Sequence, residues 1–163
     1  MLYFAYGSNL SLARLTRRVP SAKLVSTGRL NKHRLCFHKV GRDGSAKCDA
    51  FYTGIQDDST LGAVFRIHSD HKQSLDRAEG LGNGYEIKNV TVLTDLENVT
   101  AFTYYATNID NSIKPFHWYK KHVLLGAKEH CFPEHYINRI SEIVSINDFD
   151  IDRMEREAAI HKR

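Results

Sequence analysis

Residues 1–10 read MLYFAYGSNL, and this stretch carries the strongest structural pattern in the chain. The run 2–6 is apolar and aromatic, carries no charge, and is too short for a buried helix but has the length of a buried strand. Gly7 follows this run, and glycine tolerates a positive φ and lets another group approach the backbone closely. We therefore predict a strand that ends in a tight turn.

A helix is predicted directly after this turn, over residues 10–18. Ser8 and Asn9 precede it, and their side-chain oxygens can accept hydrogen bonds from the first free N–H groups of a helix. A strand, a glycine turn and a helix N-terminus direct several backbone N–H groups to one point, which suits an anion or an oxyanion. The simpler alternative is an ordinary strand-to-helix turn.

The length and composition are those of one domain with its own core. The chain has 163 residues, of which 42% are hydrophobic, and this is sufficient for a sizeable core. We predict a single domain over residues 1–163, with a core over about 1–145 and a tail over 146–163 that forms a surface helix. No run of about 18 apolar residues and no signal-peptide pattern is present, so we expect neither a membrane span nor secretion.

The cysteines and the charge restrict the compartment and the partners. Cys36, Cys48 and Cys131 are odd in number and irregularly spaced, which indicates free thiols in a reducing, cytoplasmic compartment. The net charge of +4 is mild and fits either a small anionic substrate or a solvated basic surface. No cluster of Lys and Arg with interleaved aromatic residues suggests nucleic acid. The sequence leaves a homodimer open.

Short segments rich in β-branched and aromatic residues recur along the chain and end in turn residues. This spacing favours a curled sheet or a small barrel over a parallel α/β sheet. Pro115 and Pro133 each open a predicted helix, with apolar residues at helical spacing after them. The predicted strands cover residues 23–30, 33–39, 50–55 and 61–67, with a hairpin formed by 85–94 and 99–107.

Glu79 stands at an unusual position for a carboxylate. A helix is predicted from Ser69 to Glu79, and Gly80 follows where a C-terminal glycine is expected. The C-terminal end of a helix carries partial negative charge, which together with burial disfavours the ionised form of a carboxyl group. The alternative is a solvated glutamate, but the glycine-rich segment 80–84 beside it points towards a function.

The nine histidines suggest a metal site, but their spacing does not favour one. A zinc site needs three or four converging ligands. His68 and His71 flank a predicted helix start without a third ligand in register, and His117 and His122 point away from one another on a helix. We therefore expect no metal. The sequence also has no P-loop, dinucleotide fingerprint or nucleophile-elbow motif.

Three segments together resemble the γ-glutamylcyclotransferases. Residues 3–10 (YFAYGSNL) resemble the N-terminal motif of that family, and 75–80 (LDRAEG) resemble the segment with its catalytic glutamate. Residues 119–129 are similar to its late helical block. The resemblance implies an α+β fold, a small mixed β-barrel flanked by helices, with no metal and no organic cofactor. With Asn9 at its position, the motif is more similar to that of members acting on γ-glutamyl amino acids than to that of members specialised for glutathione or γ-glutamyl-lysine.

The resemblance also implies roles for individual residues. Glu79 corresponds to the general acid/base, and the backbone over 6–10 to the part that binds the glutamyl group and the oxyanion. The simpler alternative for the tyrosines is that they pack in the core and that each hydroxyl has a hydrogen-bond partner. The substrate-binding residues implied are Tyr3, Phe4, Ala5, Tyr6, Gly7, Ser8, Asn9, Leu10, Tyr104 and Tyr119.

The implied activity is an intramolecular cyclisation of a small-molecule γ-glutamyl substrate. The substrate's own α-amine attacks the γ-carbonyl carbon, which gives 5-oxoproline and a free amino acid or amine, so no enzyme nucleophile is needed. Two alternatives stay open. One is an enzyme of the same fold that removes a γ-glutamyl group from a biosynthetic intermediate, and the other is a non-catalytic binding module.

Overall fold

A computed structural model describes residues 1–162, and its strands and helices follow the predicted pattern closely. The strands are β1 (Leu2–Ala5), β2 (Lys23–Asn31), β3 (His33–Val40), β4 (Ala46–Tyr52), β5 (Ser59–Arg66), β6 (Tyr85–Leu93) and β7 (Asn98–Ala106). The α-helices are α1 (Leu12–Arg18), α2 (Lys72–Glu79), α3 (His117–Glu129), α4 (Glu134–Glu142) and α5 (Ile151–Ala158). Arg163, the end of the predicted tail, lies outside the described residues.

Five strands close into a barrel in the order β1-β5-β2-β6-β7. The closure is made by β1 and β7, which run parallel and pair Tyr3 with Phe102, whereas the other neighbours are antiparallel. Because β1 is paired on both sides, residues 3–5 are buried, which explains the uninterrupted apolar run in the sequence. The predicted small mixed barrel flanked by helices is confirmed.

The strands β3 and β4 form a separate two-stranded sheet beside the barrel. The predicted strand 50–55 was placed too late in the chain, since β4 begins at Ala46. Lys47 and Asp49 make this segment look like a turn in the sequence. The Asp49 carboxylate is nevertheless buried, 3.0 Å from Nε2 of His38, and accepts a hydrogen bond from the Ala106 N–H at 2.9 Å. Tertiary partners thus allow a charged residue inside a strand.

The turn after β1 differs in detail from the prediction. Ser8–Leu10 forms a buried 3-10 turn, and Ser11 rather than Ser8 or Asn9 caps α1, with its Oγ accepting from the Arg14 N–H at 3.5 Å. Gly7 has a φ of −109°, so it is not needed for a positive φ. A Cβ atom at Gly7 would lie only 2.9 Å from Cβ of Cys48. Close packing against β4 is therefore the reason for a glycine here.

The tail helix α5 is held to the body by a cluster of charged and imidazole groups. The Glu157 carboxylate pairs with Arg14 of α1 and lies 2.9 Å from Nε2 of His122 on α3. His161 lies 2.6 Å from the other ring nitrogen of His122. Burial raises the pKa of Glu157, but the His122 hydrogen bond and the Arg14 charge outweigh it and lower the pKa to about 2. Within residues 1–162, no helix has the length and apolar character needed to cross a membrane.

We expect the protein to lose stability between pH 7.5 and 5 because of His122. Its side chain is 1% exposed, and burial lowers its pKa to about 4, whereas an unfolded histidine has a pKa of about 6.5. As the pH falls, the unfolded state therefore binds the proton before the folded state does. This lowers the free energy of unfolding by about 2 kcal/mol at pH 5. Urea unfolding at the two pH values measures this. His122→Gln should remove this part of the pH dependence, and His68→Gln, at an exposed position, should keep it.

Candidate active site

Glu79 is the last residue of α2, and its carboxylate faces the turn that follows β1. Gly80 takes the left-handed conformation, with φ 78°, and ends the helix as predicted. Nδ2 of Asn9 donates to Oε1 of Glu79 at 2.8 Å, and Nη1 of Arg18 donates to the same oxygen at 3.1 Å. Arg18 also donates to Oδ1 of Asn9 at 2.9 Å. Two sequence-distant motifs, YGSN and LDRAEG, thus meet through direct hydrogen bonds.

The surroundings of Glu79 differ from those inferred from its helix position. The carboxylate lies at the end of the helix and is contacted there by the Arg18 guanidinium and the Asn9 amide. Both donors contact Oε1, and no residue in the range 1–162 forms a hydrogen bond to Oε2. The side chain is 16% exposed. One oxygen is therefore anchored, and the other is available to a bound molecule.

An inner cavity lies between this carboxylate and the turn. It brings together most of the residues implied by the resemblance and adds two that were not predicted, Cys48 and Tyr85. The predicted residues that line it are Tyr3, Tyr6, Gly7, Ser8, Asn9, Glu79, Tyr104 and Tyr119.

Phe4, Ala5 and Leu10, also predicted to bind substrate, do not line this cavity. They are at most 1% exposed and belong to the hydrophobic core. Phe4 and Ala5 pack on Gly62 of β5, where an added Cβ would come within 2.5 Å of both. Leu10 packs equally closely on Gly126 of α3. A short segment paired or packed on every side cannot direct all its side chains to one cavity.

The tyrosine hydroxyls around the cavity are engaged in hydrogen bonds. Tyr6 donates to the Tyr104 carbonyl at 2.6 Å, and Tyr104 donates to Oδ1 of Asp76 at 2.5 Å. The Tyr3 hydroxyl accepts from Asn9 at 3.1 Å. Burial raises the pKa of all three phenols. They are therefore neutral hydrogen-bonding groups that shape the cavity, and not bases.

Cys48 contributes backbone groups to the cavity wall. Its N–H donates to the Tyr119 hydroxyl at 2.9 Å, and its carbonyl accepts from the Tyr85 hydroxyl. Burial raises the pKa of the Cys48 thiol well above its usual range, so the thiolate form needed of a nucleophile is disfavoured. Tyr85 was missed because it opens a strand and carries no motif. Its position beside the glycine-rich segment 80–84 is the only signal the sequence offers.

Two residues of the turn that line this cavity, Ser8 and Asn9, have unpartnered backbone N–H groups. The Leu10 N–H donates to the Gly7 carbonyl at 3.0 Å, whereas the N–H groups of Ser8 and Asn9 have no acceptor among residues 1–162. Ser8 is 7% exposed and Asn9 3%. Buried N–H groups normally have a partner. Two unpartnered donors beside a carboxylate form a site suited to a polarised carbonyl oxygen.

An outer cavity of about 240 Å³ adjoins the inner one. Both are lined by Ser8, Glu79, Tyr85 and Tyr119, so the carboxylate faces both spaces. The outer cavity is rich in lysine and arginine. The histidine pairs considered for metal binding lie elsewhere. Within the described part of the chain, no three His, Cys, Asp or Glu side chains are grouped as a metal site requires.

Proteins of known sequence are similar to this chain over most of its length. The AIG2-like family model matches residues 59–140. The chain is 34% identical over 150 residues to the gamma-glutamylcyclotransferase of Bos taurus, covering 87% of this chain and 78% of the relative. It is 34% identical over 147 residues to the Homo sapiens protein of that name, with the same shares covered.

Solved structures show the same similarity over almost the whole length. A gamma-glutamyl cyclotransferase structure superposes with a TM-score of 0.81 at 28% identity, covering 96% of this chain and 98% of the other. A yeast enzyme titled as specific to glutathione shares the fold, with a TM-score of 0.66 at 11% identity over 87% of this chain and 94% of its own. With the sequence identity over most of both chains, these findings show that the chain belongs to the γ-glutamylcyclotransferase family.

Proposed function

We propose that this protein converts a γ-glutamyl amide into 5-oxoproline and a free amino acid or amine. The observation that supports this most directly is the Glu79 carboxylate, anchored through one oxygen in a cavity that Ser8 and Asn9, whose N–H groups are unpartnered, also line. One proton-transfer group and one set of donors for a carbonyl oxygen are what a cyclisation needs from the enzyme.

The nucleophile in this reaction belongs to the substrate. The α-amine of a γ-glutamyl group is tethered within reach of the γ-carbonyl carbon, and its attack closes a five-membered lactam. The new bond joins the α-nitrogen to the γ-carbon, and the bond broken joins that carbon to the leaving nitrogen. The barriers are the protonated state of the amine and the charge on the tetrahedral oxygen. The enzyme has to lower both.

Glu79 is proposed to move the proton. Its Oε2 accepts a proton from the α-ammonium group before attack and passes it to solvent. It then takes a second proton from the attacking nitrogen and returns it to the leaving nitrogen as the amide bond breaks. Asn9 and Arg18 hold Oε1, which fixes the direction in which Oε2 points. Positioning of this kind preserves the short distances that proton transfer requires.

The 3-10 turn is proposed to bind the oxygen that becomes negative. The N–H groups of Ser8 and Asn9 are held by a buried turn, so they need little reorganisation when charge develops. Tyr104 and Tyr119 are proposed to bind the glutamyl part through their hydroxyl groups. Both are neutral, because burial raises the pKa of each phenol. They therefore position the substrate without competing for its proton.

We further infer a small-molecule partner in a reducing, cytoplasmic setting. Cys36, Cys48 and Cys131 are all free thiols, which is typical of reducing compartments. The cationic groups beside the site line a cavity, and this suits a small anionic molecule better than nucleic acid. Light scattering of the purified protein measures its molar mass in solution and so distinguishes a monomer from a homodimer.

We expect the purified protein to release 5-oxoproline and alanine from γ-glutamyl-alanine in equal amounts. Chromatography of the products separates 5-oxoproline from glutamate, the product of simple hydrolysis. α-Glutamyl-alanine is the matched control. Its alanine is bonded to the α-carbonyl and its γ-carboxylate is free, so closure of the lactam cannot release alanine. Glutamate in place of 5-oxoproline, or no product at all, would contradict the proposed reaction and favour a different substrate or a binding role.

A further inference from the structure

The outer cavity carries more positive charge than its acidic residues neutralise. Seven basic and three acidic side chains line it. Four of the basic residues, Arg14, Arg18, Lys47 and Arg153, form ion pairs with carboxylates. The other three, Lys39, Arg42 and Arg77, have no carboxylate oxygen within 4.0 Å among residues 1–162. Arg77 instead donates to Oγ of Ser74 at 3.3 Å, which leaves Lys39 and Arg42. The cavity therefore contains cations that form no ion pair with the protein's own carboxylates.

Lys39 is the unusual member of this group because it is buried. The residue is 3% exposed and its ammonium group forms no hydrogen bond with residues 1–162. It lies 4.5 Å from the ring centroid of Tyr85, which lines both cavities. Burial lowers the pKa of Lys39, although attraction to the nearby Glu79 carboxylate acts in the opposite direction. Its Nζ nevertheless keeps access to the outer cavity, so an anion bound there can pair with it.

The glycine-rich segment 80–84 beside Glu79 packs against Lys39 and Arg42. Gly84 has a φ of 92°, and a Cβ atom there would come within 3.0 Å of Cε of Lys39. At the other end of the same segment, a Cβ atom at Gly80 would lie 3.7 Å from Nη2 of Arg42. The two cations thus cover the two ends of the segment 80–84, which directly follows Glu79.

We propose that Lys39 and Arg42 form a subsite for the leaving group and favour leaving amino acids that carry two carboxylates. This inference rests on the proposed function. Glu79 lines both cavities, and the inner one measures only about 20 Å³ against about 240 Å³ for the outer one. A substrate whose γ-carbonyl lies beside Glu79 therefore extends its leaving amine into the outer cavity. An acidic amino acid there presents an α-carboxylate and a side-chain carboxylate to two cations without partners. Charge-assisted contacts of this kind are among the stronger polar interactions.

The substrate pair γ-glutamyl-aspartate and γ-glutamyl-asparagine tests the subsite, because the two molecules differ only in one charge. We expect kcat/KM of the wild type to be about tenfold higher for the aspartate substrate, the size of one hydrogen bond between charged groups. The difference should appear mainly in KM, since this contact is the same in the ground and transition states. Equal values for the two substrates would overturn the subsite. Absence of 5-oxoproline from both would instead contradict the proposed function.

Two variants connect the preference to these residues. Lys39→Met keeps the length of the apolar stem and removes the charge, and we expect the preference to fall to about twofold or less. Arg42→Gln lies at an exposed position, so folding is preserved, and we expect a partial loss. Lys128→Gln is the matched control, because it removes one charge from an exposed part of α3 and should keep the preference. Retention of the wild-type ratio in folded Lys39→Met, or its loss in Lys128→Gln, would overturn the assignment.

Discussion

Glu79→Gln is expected to fold normally, bind substrate and lose about 10²- to 10⁴-fold in kcat, the usual contribution of a general acid/base. The amide oxygen of glutamine can still accept from Asn9 and Arg18, the two donors that hold Oε1 in the wild type. The cavity therefore keeps its shape. What is lost is the oxygen that accepts and returns the proton.

Glu79→Asp is expected to be nearly as impaired. Shortening the side chain by one methylene group moves the carboxylate by more than the roughly half-ångström tolerance of such sites. The measurement is kcat for γ-glutamyl-alanine, with circular dichroism to confirm the fold of each variant. Glu86→Gln is a suitable control, because Glu86 is exposed on β6. A kcat of Glu79→Gln close to that of the wild type would mean that another group transfers the proton.

Gly7→Val is the second substitution from which we expect a large effect, a loss of about 100-fold or more in activity. A Cβ atom at this position meets Cβ of Cys48 at 2.9 Å and comes within 3.6 Å of the Tyr119 hydroxyl. The turn must therefore move away from β4 or fill the inner cavity. In either case the N–H groups of Ser8 and Asn9 lose their alignment with the substrate.

Gly7→Ala separates these effects by size, since it adds the Cβ atom without the two methyl groups. We expect an intermediate loss of activity, and a loss of stability of about 1 to 3 kcal/mol for either variant from overpacking against Cys48. Steady-state kinetics and urea unfolding measure the two quantities independently. A folded Gly7→Val protein with near-normal turnover would show that the turn has only a structural role.

Local patterns in the sequence were sufficient for the individual elements. The apolar run of β1, the β6–β7 hairpin and the C-terminal Gly80 of α2 are each encoded within a few consecutive residues, so they could be predicted without tertiary information. The position of Glu79 at a helix end follows from the same kind of pattern. Its suggested role came from a resemblance of motifs and stays a prediction until the kinetics are measured.

Contacts between distant residues decided what local patterns could not. The chain position of β4 depends on the buried pair His38 and Asp49, because a charged residue in a strand is acceptable only where a partner is supplied from elsewhere. Similarly, Ser11 caps α1 because Ser8–Leu10 is drawn into a buried 3-10 turn. A local pattern contains neither of these partners.

The sequence by itself determined most of the strands and helices and the two motifs that meet at the site. Only the tertiary structure decided which cations stand beside Glu79, that Tyr85 joins the cavity, and that Lys39 is buried without an ion-pair partner. The physical reason is that secondary structure follows from the periodicity of neighbouring residues, whereas burial and pairing of charges depend on barrel closure. That closure brings β1 beside β7, about a hundred positions later in the chain.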